Sequence, residues 1–150
     1  MEIIIKKYNE LTIDELYEIL KLRSIVFVVE QNCIYQDLDD IDKRSYHIFM
    51  KEKDKPEINV YIRVFEKDKD TAQIGRVVTA QNYRRKGYAT KLMIKGIEIA
   101  KNEMKKTKIY LEGQVYVTEF YQKLGFKIIS DEFLEDGIPH YKMLKELNGE

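Results

Sequence analysis

The chain opens on a β-branched run at residues 2 to 8, after which Thr12-Ile13-Asp14-Glu15 forms a capping box ahead of Leu16, Ile19, Leu20 and Arg23. This pattern predicts a strand followed by a helix. The dense apolar run from Ser24 to Glu30 has two readings, a buried strand or the buried end of that helix. Residues 31 to 43 turn polar and acidic and read as a surface loop. Three strands are predicted next, at Tyr46 to Lys51, Asn59 to Glu66 and Gln73 to Thr79, joined by charged turns into an antiparallel meander. Leu92, Met93, Gly96, Ile97, Ala100 and Met104 then recur at intervals of three or four and mark one face of a long helix beginning at Ala89. Short elements complete the chain. They are a strand at Ile109 to Leu111, a helix at Thr118 to Leu124 ended by Gly125, and strands at Phe126 to Ile129 and Pro139 to Leu144.

This order of strands and helices, without repeat or linker, predicts one domain over residues 1–150 of α+β, or mixed α/β, class. Twenty-six basic residues balance twenty-six acidic ones, so no overall positive field is present to hold a nucleic-acid backbone or an anionic membrane. The single cysteine, Cys33, excludes an internal disulfide, and two histidines make no visible metal cluster; no metal is expected. With no apolar stretch near the roughly 18 residues that span a bilayer, a cytoplasmic location is expected. Assembly as a homodimer is left open.

The turn Arg84-Arg85-Lys86-Gly87-Tyr88-Ala89, between a strand and the long helix, has the physics of an anion site. Backbone N–H groups at a helix N-terminus lack partners and lie at the positive end of the helix dipole. Gly87 permits an unusual backbone angle, Ala89 leaves room, and the basic side chains add charge. The competing reading is a basic loop that happens to precede a helix.

Arg-x-x-Gly-x-Ala after a hydrophobic strand, followed one strand later by Phe120-Tyr121-Gln122-Lys123-Leu124-Gly125-Phe126, resembles the paired motifs of the GNAT superfamily of N-acetyltransferases. Leu22-Arg23, Val26 to Gln31, Cys33, Tyr35, Asp37, Asp39, His47, Ile74 to Val77 and Asp136 to His140 extend the likeness over nearly the whole chain, to the ElaA-like branch. Two positions depart from the common pattern. Ala89 replaces a frequent second glycine, and Gln114 stands where many relatives have asparagine.

The resemblance implies a mixed, mostly antiparallel twisted sheet flanked by helices, with a splayed central pair of parallel strands. It implies acetyl-CoA as cosubstrate and a small-molecule amine as acceptor, with a protein or peptide acceptor, or a catalytically silent binding module, as alternatives. Val77, Val78 and Thr79 would hold the pantetheine arm, Arg84, Arg85, Lys86, Gly87, Tyr88, Ala89 and Thr90 the pyrophosphate, and Gln114 would contribute its amide. Tyr121 takes the position of the general acid, although from its residue type alone it reads as one more aromatic core residue.

Glu30 is the first choice of general base, against the reading that it caps or pairs with Arg23 or Arg76. Gln31, Tyr35, His47, Arg63, Arg76 and His140 are the candidate acceptor contacts. The acidic loop could attract a cationic acceptor or simply be solvated, while Arg63 and Arg76 would suit an acidic one. His47 and His140 serve either as proton relays or as hydrogen-bonded wall residues, and Cys33 is assigned to packing.

Overall fold

In the computed structural model, which describes residues 1–147, eight strands form one sheet. They are β1 (Glu2–Lys7), β2 (Tyr46–Lys51), β3 (Ile58–Glu66), β4 (Thr71–Thr79), β5 (Lys108–Gln114), β6 (Lys127–Ile128), β7 (Phe133–Glu135) and β8 (Ile138–Glu146). Their spatial order is β1-β2-β3-β4-β5-β8-β6, with β7 also paired to β8. Every pairing is antiparallel except β4 with β5. The helices are α1 (Ile13–Arg23), α2 (Tyr88–Glu98) and α3 (Thr118–Lys123).

Alternation along the strands explains how two cores form. On one face Ile48, Met50, Val60, Ile62 and Val64 pack with Leu92 and Met93 of α2; on the other, Phe49 and Tyr61 pack with Ile19 and Leu22 of α1. Because helices cover both faces, β3 is buried from Ile58 to Phe65 and reads as a continuous run rather than an alternating one.

The capping box at the start of α1 is formed: Glu15 N–H donates to Thr12 Oγ1 at 3.0 Å and Thr12 N–H to Glu15 Oε1 at 2.9 Å. The ambiguous run Ser24–Glu30 continues α1 as a π-helical segment, so it is the helix end and not a strand. Strand β7 was missing from the pattern reading, although Asp136-Gly137 carries its signal. Both residues have positive φ, 52° and 80°, as a tight hairpin turn requires.

The acidic loop departs from the expectation of a solvated surface segment. Asp37 and Asp42 are buried against Arg23, which is fully enclosed and donates to Asp37 Oδ2 at 2.8 Å and to Asp42 Oδ1 at 2.7 Å. Arg63 donates to Asp42 Oδ1 at 2.9 Å and to Asp39 Oδ2 at 2.6 Å, and Arg76 to Asp37 Oδ1 at 2.8 Å. Three aspartates and three arginines thus form one network between α1, the loop, β3 and β4. The loop can be buried because each carboxylate has a cationic partner; without one, its desolvation would outweigh the gain. Asp40, which lacks such an arginine, stays exposed.

Removing one partner of this network should be costly. Arg23→Met leaves Asp37 and Asp42 short of their donors and should destabilise the protein by about 3–5 kcal/mol in urea denaturation. Acid should act on the same contacts. Burial would raise the pKa of Asp39, but hydrogen bonds and charge from Arg63 and charge from Arg76 outweigh it and hold it at about 2. A depressed carboxylate stabilises above its unfolded pKa and loses that contribution as pH falls through the folded one. The stability gap between wild type and Asp39→Asn should therefore be full above about pH 4 and close towards about pH 2.

Candidate active site

Strands β4 and β5 pair only at Thr71 with Lys108, Ala72 with Ile109 and Gln73 with Tyr110. Beyond these residues they diverge. The cause lies on the other edge of β4, where Tyr61 is opposite Val78 but Arg63 is opposite Gly75, so that Arg76 and Val77 together face Ile62. This is a β-bulge, with Arg76 in the left-handed region at φ 51° and its guanidinium held by Asp37 and Asp39. A non-glycine residue in that conformation carries a cost of roughly 1–3 kcal/mol, which the ion pairs offset.

The divergence opens a cavity of about 920 Å³. Val77, Val78 and Thr79 line its β4 wall, and the β5-facing backbone edge of this stretch has no strand partner among the described residues. Leu111, Glu112 and Gln114 line the β5 wall, beyond which come Glu135, Asp136, Ile138 and His140 of the β7–β8 hairpin. Phe27, Phe120 and Val117 add apolar surface.

The turn into α2 opens on this cavity through Arg84, Arg85, Gly87, Tyr88, Ala89 and Thr90. Arg85 and Gly87 have φ of 65° and 79°, which curls the chain into α2, and no side chain caps that helix, in contrast to α1. A Cβ at Gly87 would meet nothing within 4 Å, so the space above the turn is clear. The first N–H groups of α2, the helix dipole and the guanidinium of Arg85 make an anion-binding end with room for a bulky group. Lys86 does not line the cavity; its ammonium lies 6.0 Å from the Tyr83 ring centroid.

Tyr121 reaches the cavity from α3 while packed edge-on against Phe120 and Phe126. Burial, with a contribution from Tyr116, raises its pKa above the ordinary phenol value, so it is protonated and able to donate at neutral pH. Gln31 and Gln114 also line the cavity and exchange amide hydrogen bonds of 3.3 and 3.4 Å. Tyr35 and His140 are in the lining too, each fixed at its polar tip: Tyr35 Oη donates to Asp37 at 2.7 Å, and His140 Nδ1 to the Ile138 carbonyl at 2.7 Å.

Three expected roles are altered by the neighbours these side chains acquire. Glu30 lines the cavity but receives Arg84 at 2.6 and 2.9 Å, a pair that lowers the glutamate's pKa and raises the arginine's. It is held against the turn, and the pairing lowers its proton affinity; neither Arg23 nor Arg76 is its partner. Arg63 lies outside the lining, spent on Asp39 and Asp42. His47 is wholly buried away from the cavity: Nε2 donates to the Asp42 carbonyl at 2.8 Å, and Nδ1 accepts from Tyr61 at 2.7 Å. Burial lowers its pKa and keeps it neutral, which suits a structural histidine and not a relay.

Glu112 and Glu135 were not singled out from the sequence. The one available signal was a charged residue inside the otherwise apolar strand around Leu111, and nothing local marked Glu135. Cys33 lines the cavity with its thiol directed at the Asp136 carbonyl, 3.4 Å away, so it ties the loop to the hairpin.

The acetyltransferase (GNAT) domain family matches the chain over residues 15–147. A UPF0039 protein of Schizosaccharomyces pombe is 40% identical over 98% of both chains, and protein ElaA of Escherichia coli is 37% identical over 93% of both. In crystal structures, E. coli ElaA superposes with a TM-score of 0.90 at 34% identity, covering 97% of this chain and 100% of its own. An acyl-CoA N-acyltransferase from Pseudomonas aeruginosa gives 0.89 at 32% identity, covering 97% and 99%. With the splayed parallel pair, the open turn before α2 and the tyrosine facing both, these likenesses lead to one conclusion: the chain belongs to the GNAT acetyltransferase family, in its ElaA-like branch.

Proposed function

We propose that this protein is an acetyl-CoA-dependent N-acetyltransferase acting on a primary amine of a small molecule. The observation that carries the reading is a single cavity that joins the uncapped N-terminus of α2, the unpaired edge of β4 and the Tyr121 side chain. The likeness to the P. aeruginosa acyl-CoA N-acyltransferase supports the same donor chemistry.

When bound, the donor supplies an acetyl group activated as a thioester. The turn from Arg85 to Thr90 holds its pyrophosphate with backbone N–H groups, and Val77, Val78 and Thr79 pair with its amide-bearing arm as a strand would. A backbone N–H at the β4 bulge polarises the carbonyl oxygen, and Tyr121 donates its proton to the departing sulfur. Gly113 sets the position of that acid. A Cβ there would stand 2.8 and 2.9 Å from two ring carbons of Tyr121, so only glycine leaves room for the ring against β5.

Calorimetry should show acetyl-CoA binding, and Gly87→Glu should weaken it by about tenfold or more, since a carboxylate would stand in the anion site. Equal affinity would remove the turn from the site. Tyr121→Phe should keep the affinity while slowing acceptor-dependent thiol release by about 10²–10⁴-fold. Gly113→Ala should displace the same ring, lowering stability by about 1–3 kcal/mol and activity with it, as read by thermal melts and thiol release. A panel of amines and peptides, with mass spectrometry of the product, separates small-molecule from peptide acceptors; binding without any thiol release would leave a catalytically silent module.

A further inference from the structure

The reaction needs a proton acceptor, and the pairing of Glu30 with Arg84 lowers that carboxylate's proton affinity. Two other carboxylates share the cavity. Glu112 on β5 and Glu135 at the end of β7 both line it, half-buried and near enough to act on each other, and the Tyr110 hydroxyl donates to Glu112 Oε2 at 2.7 Å. Arg76 of β4, Asp136 of the hairpin turn, and His140 and Lys142 of β8 are the other charged or titratable groups acting on the pair. Arg76 already serves Asp37 and Asp39, so it does not neutralise the pair.

Two carboxylates in contact cannot both ionise cheaply, so one proton is retained between them. Burial, the hydrogen bond and charge of Glu112, and the charge of Asp136 push Glu135 up to about 7, against the opposing charge of Arg76. Burial would raise Glu112 as well, but hydrogen bonds from Glu135 and Tyr110 and the charges of His140 and Lys142 bring it below its usual value. The pair therefore combines a fixed anion with a group that gives and takes a proton near neutrality.

Its placement matches the direction of the reaction. Position 113 faces Tyr121, and neighbouring residues of a strand point to opposite faces, so Glu112 projects to the far side of the sheet. The proton donor for the leaving sulfur and the carboxylate pair thus approach the gap between β4 and β5 from opposite sides. A nucleophile that enters beside the pair would attack the carbonyl on the side away from the thiolate's proton donor.

Resting on the acetyltransferase reading above, we infer that Glu112 and Glu135 receive a cationic alkylamine, Glu112 holding the ammonium and Glu135 removing its proton. The balance is simple. The ammonium N–H bond breaks and its proton moves to the ionised Glu135, the nitrogen lone pair forms the C–N bond, and the C–S electrons leave with sulfur, which takes a proton from Tyr121. The second nitrogen proton returns to Tyr121 through solvent, and Glu135 releases its own. The site selects alkylamines that are protonated at neutral pH.

Two measurements test this. In protein carrying ¹³C-carboxyl glutamate, an NMR titration should show one glutamate changing protonation near neutrality; the signal should vanish in Glu135→Gln and shift to lower pH in Glu112→Gln. No glutamate titrating above the ordinary range overturns the shared proton. In kinetics, Glu135→Gln should lower kcat/KM for 1,4-diaminobutane by about 100-fold or more at neutral pH, recover as pH rises, and barely affect aniline, which is already unprotonated. Unchanged acetyl-CoA affinity and melting temperature would certify the variant's fold. Wild-type kcat/KM and pH profile in Glu135→Gln overturn this inference alone. Failure of the wild-type chain to bind acetyl-CoA overturns the acetyltransferase reading and this inference with it.

Discussion

The grip of Asp37 on two arginines is the interaction on which the site depends. One carboxylate receives Arg23 from the end of α1 and Arg76 from the bulge in β4, and so joins a helix, a loop and the bent strand in one contact. Without the bulge, Val77 and Val78 would exchange faces, since one residue of register reverses every side chain beyond it. The ion pairs hold Arg76 in a left-handed conformation it would otherwise leave, and the strand stays bent away from β5. The cavity is a consequence of that bend.

Placing six charges in and around the interior is a poor way to gain stability, because desolvation consumes most of the Coulomb attraction. Its value lies in geometry. Apolar side chains would permit the loop at residues 31 to 43 to slide over the sheet, whereas directional bonds from guanidinium groups fix where Tyr35 and Cys33 meet the cavity. The anion-binding end of the site is built differently. Its geometry rests mainly on backbone, with positive φ at Arg85 and Gly87 and an uncapped helix, to which the Arg85 guanidinium adds charge.

Local signals carried most of the architecture. The capping box placed the start of α1, the three-and-four spacing placed α2, and the glycine turn marked the uncapped entry to α2, because each depends on residues within one or two turns of chain. Of the residues assigned to donor binding, only Lys86 is outside the cavity lining. Among those assigned to the acceptor, His47 and Arg63 lie in the buried network, and Glu30, the first choice of general base, is tied to Arg84, 54 positions along the chain. No local pattern reports such a partner. The aspartates looked solvated for the same reason: a carboxylate in a polar loop gives no sign that an arginine awaits it across the fold.

The sequence by itself carried the order of strands and helices, a turn ahead of α2 with the physics of an anion site and, through the family resemblance, the position of Tyr121, since backbone geometry and motif spacing are local. Tertiary structure alone decided which charges are spent on one another and which remain for chemistry. It paired Glu30 with Arg84, enclosed Arg63 with Asp39 and Asp42, and brought Glu112 and Glu135 together in the cavity lining. The reason is physical: a charge's burial, partner and proton affinity depend on distances through space, and strands far apart in sequence set those distances only when the sheet closes.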